Sequence, residues 1–109
     1  MSFQHSNLAR GGWSQLSLAE QLGNVGSEVG RARRWQEKDR KAFESAVARM
    51  FELLDLTIQD ARWRERLKEI MRVREVLADA ILGGKEYKSS LEDLERYFFH
   101  FAIAARLYK

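Results

Sequence analysis

The sequence predicts an all-α protein, an up-down antiparallel four-helix bundle, and three observations carry that expectation. Four successive segments repeat apolar residues at alternating spacings of three and four, each opened or closed by a capping or glycine signal. No proline interrupts the 109 residues, which suits long helices, because an interior proline removes a hydrogen bond and clashes with the preceding turn. The links between segments are short, and short links between helices of similar length favour antiparallel neighbours. A chain of this length accommodates one domain with one core.

Met1 to Leu16 is polar and broken by Gly11-Gly12, and reads as a flexible arm ahead of a bundle spanning residues 17–109. Ser17 and Glu20 then form a capping-box pattern, in which each side chain bonds the backbone N–H of the other residue. Leu18, Leu22, Val25, Val29 and Ala32 make one apolar stripe on a first helix running to about Lys38. Asp39 is placed to cap a second helix, whose stripe is Phe43, Val47, Met50, Leu54 and Ile58, widened by Ala46, Leu53 and Leu56. Asp60 is a third cap, followed by Trp63, Leu67, Ile70, Leu77 and Ile81 until Gly83-Gly84 stops the helix. Ser89 and Glu92 repeat the capping-box pattern before a fourth stripe of Leu91, Leu94, Phe98, Phe101, Ala105 and Tyr108.

Composition removes several function classes. Without cysteine there is neither a disulfide framework nor a cysteine zinc site. The first residues hold no apolar run of the kind a secretion signal needs, and no stretch approaches the roughly 20 apolar residues that span a bilayer. These features predict a cytoplasmic protein that does not enter a membrane. The formal charge of +3 from 19 basic and 16 acidic residues describes a mixed, solvated surface.

Two features exceed what a monomeric bundle needs. Phe99, Ile103 and Leu107 lie roughly 125–205° around the fourth helix from its main stripe, at 100° per residue. A helix apolar nearly all round is usually buried on several sides, so this second face predicts a homo-oligomer interface or a core that wraps further round the helix. The first helix also carries Gly23, Gly26, Ser27 and Gly30, and interior glycine costs about 1 kcal/mol relative to alanine. Such a ridge implies close backbone approach by another helix of the protomer, a second chain or a ligand.

Candidate chemistry is sparse. Arg74 sits at a core-like position among Leu67, Ile70, Met71, Leu77 and Ala78, where a charge needs a partner or an escape to water. Glu28 and Asp55 border the stripes of their own helices and complete an expected buried polar network with Arg74; Asp79 is a further acid. This group reads as a structural ion pair, a snorkelling arginine or an internal ligand site. His5 and His100 are far apart, with His100 expected to face outward, and the chain has no Glu-x-x-His pair, phosphate loop or nucleophile elbow. The reading is of a protein without catalytic residues, metal or cofactor.

The cations are clustered. Arg31, Arg33, Arg34, Lys38, Arg40 and Lys41 crowd one helix end and its turn, with Trp35 among them, and an up-down bundle brings Lys85 and Lys88 to the same end. The opposite end collects Arg62, Arg64, Arg66, Lys68, Arg106 and Lys109. Multiplied round an oligomer, these ends become basic rims able to release counterions from RNA or DNA, with Trp35 and Trp63 available to stack on unpaired bases. Helix C-termini also attract Lys and Arg through the dipole alone, so a merely solvated surface stays open.

The run Gly23-Asn24-Val25-Gly26-Ser27-Glu28-Val29-Gly30-Arg31, followed by Phe43, Ala46 and Phe51-Glu52-Leu53, resembles a known family. It is similar to the small four-helix-bundle proteins encoded in 23S rRNA intervening sequences, whose relatives include the accessory variability determinants of diversity-generating retroelements. Those proteins carry an Asn-Ile-x-Glu-Gly element before a basic turn and a Phe-rich helix, to which Asn24, Glu28, Gly30 and Arg31 would correspond. The family places a full helix ahead of this element, where this chain has the arm and one turn. The resemblance implies a cyclic oligomer, pentameric in the retroelement relatives, whose basic surface assists a reverse transcriptase and its RNA template. The function expected is therefore a non-enzymatic, oligomeric accessory protein that binds nucleic acid and a protein partner. A protein-only adaptor and a small-ligand bundle built around Arg74 stay open as alternatives.

Overall fold

The computed structural model describes residues 12–107. Within them lie four α-helices and no strand: α1 Leu18–Trp35, α2 Arg40–Ile58, α3 Leu67–Ile81 and α4 Leu91–Leu107. The expected capping box opens α1, with the Glu20 amide donating to Ser17 Oγ at 3.1 Å and the Ser17 amide donating to Glu20 Oε1 at 2.9 Å. Asp39 caps α2 by accepting from the Ala42 amide at 3.0 Å. Gly83 and Gly84 end α3 at φ of 115° and 72°, the left-handed region that glycine enters without a Cβ clash.

Four boundaries differ from the sequence pattern. The first helix ends at Trp35 instead of Lys38, and residues 36–38 form the turn into α2. Asp60 does cap, accepting from the Arg62 amide at 3.1 Å, but the segment it opens is a 3₁₀ helix, Ala61–Arg66. Trp63 leaves helical geometry there (φ −102°, ψ 22°), so α3 starts only at Leu67. The last capping box sits one residue later than Ser89 and Glu92: the Asp93 amide donates to Ser90 Oγ, and the Ser90 amide to Asp93 Oδ2, both at 3.1 Å. Lys88, at φ 61°, turns the chain into that cap. The fourth departure is the arm: Trp13, expected to be loose, belongs to a short 3₁₀ turn and is 3% exposed. Met1–Gly11, with His5, and Tyr108 and Lys109 lie outside the described residues.

The core is organised around α1, which is covered on one side by α2 and on the other by α4. Val25, Val29, Ala32, Ala46, Met50, Leu54, Leu77 and Phe98 are fully buried. The α1–α4 pair is antiparallel: a Cβ built on Gly23, Gly26 or Gly30 meets Ala102, Phe98 or Glu95 respectively, so the numbering runs in opposite directions. The same holds for α1 and α2: Glu28 bonds Arg49 midway along α2, and Gln21, near the start of α1, bonds Asp60 just beyond the end of α2. The glycine ridge therefore serves intramolecular packing, since removing Cβ atoms lets two backbones approach. Helix α3 is set more loosely against this trio and buries only Ile70, Leu77 and Ala80.

A buried glutamine joins three parts of the chain. Gln21 Nε2 donates to the Trp13 carbonyl at 2.8 Å and to Asp60 Oδ2 at 3.0 Å, while Gln21 Oε1 accepts from Trp63 Nε1 at 2.9 Å. Arg62 Nη2 donates to the Leu16 carbonyl at 2.7 Å. These bonds tie residues 13–16 to α1 and to the link between α2 and α3, which explains the order of a segment that looks polar in sequence.

Candidate functional site

The basic end is assembled, but half of its charge is already engaged. Arg31 Nη1 bonds Glu28 Oε1 at 2.6 Å, Arg33 Nε bonds Glu95 Oε1 at 2.5 Å and Arg40 Nε bonds Glu44 Oε1 at 3.1 Å. Arg34, Lys38 and Lys41 are exposed and, among the described residues, have no carboxylate partner. Trp35 is half-buried at the end of α1. A hollow of about 360 Å³ is lined by Arg33, Arg34, Gln36, Glu37 and Lys38. Gln36 and Lys88 share a second hollow, so the link before α4 does reach this end of the molecule.

At the other end the cations are likewise distributed between pairs and solvent. Arg66 bonds Glu69 at 3.1 Å, and Arg62 bonds Asp60 at 2.7 Å. The Arg62 hydrogen bond is the main reason the Asp60 carboxyl titrates at about 2, well below its ordinary 3.8. The Arg62 guanidinium also lies 4.4 Å from the Trp63 ring centre. With one face covered and its N–H given to Gln21, Trp63 is a structural residue and not the open stacking platform its sequence position suggested.

The expected buried network of Glu28, Asp55 and Arg74 is two separate pairs. Arg74 Nε bonds Asp55 Oδ1 at 2.7 Å, but the two side chains are 42% and 41% exposed. The Arg74 guanidinium lies over the Phe51 ring at 5.0 Å and reaches the surface, because α3 packs through Ile70 and Leu77 and leaves Arg74 at its margin. Glu28 is the buried member, 5% exposed, and it is satisfied by Arg31 and by Arg49, whose Nε stands 2.8 Å from Glu28 Oε2. Arg49 also donates to Ser45 Oγ at 2.7 Å. Sequence reasoning missed Arg49; its position beside Met50 on the inner margin of α2 was the available signal. Asp79 is used locally, accepting from the Glu86 and Tyr87 amides.

The outer face of α4 is where the structure adds most. Phe99, Ile103 and Leu107 are 54%, 36% and 70% exposed. They are not absorbed by the protomer's own core. Phe99 borders a groove of about 550 Å³ between α1 and α4, floored by Gly23, Gly26, Ser27 and Ala102. The glycine ridge and Phe99 of the second apolar face, independent features of the sequence, thus meet in one groove. Glu92, Glu95, Arg96 and Arg33 frame one end of the groove and Arg106 the other.

Among the described residues no three histidine or carboxylate side chains gather as a metal site, and no helix is long and apolar enough to cross a membrane. His100 is exposed. No family of proteins, curated protein or solved structure matches this chain.

Proposed function

We propose that this chain is a non-enzymatic, self-associating up-down helical bundle whose basic α1–α2 end binds the phosphate backbone of a nucleic acid. The observation that carries the self-association is the exposure of Phe99, Ile103 and Leu107 along one side of α4. Large apolar side chains grouped on one exposed helix face mark an interaction surface, whereas isolated ones need no explanation. Arg34, Lys38 and Lys41 support the anion-binding part, since each is exposed and free of a carboxylate partner among the described residues. In the setting implied by the likeness of residues 23–54, the nucleic acid is an RNA template held beside a reverse transcriptase in the cytoplasm. The engagement of Arg31, Arg33 and Arg40 by carboxylates favours a second reading, a protein-only adaptor.

Size-exclusion chromatography with light scattering and an ultraviolet absorbance ratio tests both parts. A defined multimer of the 12.8 kDa chain that retains nucleic acid, and loses it as salt rises, is the expected result. A multimer with no affinity for RNA or DNA leaves the adaptor. A monomer at all working concentrations overturns the self-association.

A further inference from the structure

Resting on that self-association, we infer that the α1–α4 groove is filled by the same surface of a second copy, in a two-fold dimer whose α4 helices cross antiparallel at Phe99. Glu92, Phe99 and Arg106 are seven residues apart, so they fall within about 20° of one line along α4. In a two-fold contact a residue at a given step before Phe99 meets the residue at the same step after it. Glu92 then faces the partner's Arg106, Glu95 faces the partner's Ile103 and Arg96 faces the partner's Ala102. The first of these is a pair of opposite charges, and symmetry makes it twice.

Both members are available. Glu92 is 67% exposed at its side chain; among the described residues its ion pair is a 3.6 Å contact with Arg96 one turn along, and it also acts through space on the Arg33 guanidinium. Arg106 is exposed and lacks an acidic partner among the described residues. A parallel, in-register contact would set Glu92 against Glu92 and Arg106 against Arg106, and like charges at an interface are costly. The antiparallel contact places the exposed Phe99 rings at the centre and a Glu92–Arg106 pair at each end. Gly23, Ser27 and Ala102 leave the groove without bulky side chains beside Phe99. The two-fold arrangement differs from the ring of five that the sequence likeness implies.

Charge exchange between Glu92 and Arg106 tests the register. Sedimentation velocity of the wild-type chain should give a particle of twice 12.8 kDa. Glu92→Arg and Arg106→Glu should each weaken the dimer by about tenfold or more, and the double exchange should bring it back to within about threefold. Circular dichroism should be unchanged throughout, since both positions are exposed. A dimer that tolerates the single changes, or one not restored by the double change, overturns the antiparallel register and leaves self-association standing. A larger closed ring also overturns the two-fold dimer alone. A monomer overturns both.

Discussion

Gly26 on α1 faces Phe98 on α4 so closely that a Cβ at Gly26 would stand 2.5 Å from the Phe98 Cβ. Phe98 is fully buried, so neither group can step aside without moving its helix. Gly26→Ala should therefore destabilise the fold by roughly 1–3 kcal/mol, despite the gain of about 1 kcal/mol in helix propensity. Gly30→Ala is the control: its Cβ would meet only the carboxylate end of Glu95, which can rotate away at the expense of the Arg33 pair. Urea denaturation of both variants should show a clear loss for Gly26→Ala and a change under about 1 kcal/mol for Gly30→Ala.

Glu28 and Arg49 form the buried part of the charge network, and Arg74 with Asp55 the exposed part. Removing one partner of a buried pair leaves an uncompensated charge, whereas exposed pairs contribute about 0–1 kcal/mol. Arg49→Leu should accordingly cost about 2–3 kcal/mol, moderated by the remaining Arg31 contact, and Arg74→Met under about 1 kcal/mol. Equal losses from thermal unfolding of the two variants would contradict the division into separate pairs.

The Asp60 carboxyl is held at about 2 by Arg62, by Gln21 and by the Arg62 amide, against burial that acts the other way. Because its folded pKa is depressed, the stability it contributes is present above the ordinary value near 3.8 and is lost as pH falls towards about 2. Arg62 is partly exposed, so solvent screening reduces the contribution to about 1–2 kcal/mol. Asp60→Asn should be less stable than wild type by that amount at pH 7, and the difference should close between about pH 4 and pH 2. A difference independent of pH would assign the loss to the hydrogen bond from Gln21 instead, since asparagine keeps the helix cap.

Of the six cations at the α1–α2 end, Arg34, Lys38 and Lys41 are the ones with no carboxylate partner among the described residues. Reversing these three charges should lower the affinity for single-stranded RNA and flatten its salt dependence by roughly 2 units, at about 0.7 per phosphate contact. Reversing Arg31, Arg33 and Arg40 should change binding less and stability more. Filter binding at several salt concentrations, with melting temperatures for each variant, separates the two sets.

Helix positions were readable because their signals are local. Ser17 with Glu20, Asp39, Asp60 and Gly83-Gly84 bond or turn their own neighbouring backbone, so three or four residues suffice to define them. The choice of Ser90 over Ser89 was not legible in the local pattern: both precede an acid by three residues, and it is Ser90 that exchanges hydrogen bonds with Asp93 after the left-handed turn at Lys88. The exposed side of α4 was equally legible, because residues four apart share a helix face whatever surrounds it. Pairing across helices was not. Which carboxylate meets which guanidinium depends on the separation and rotation of the helices. The packing of α1 on α2 set Arg49 against Glu28, the looser seat of α3 left Arg74 at the margin with Asp55, and the close approach of α1 to α4 brought the glycine ridge and Phe99 into one groove.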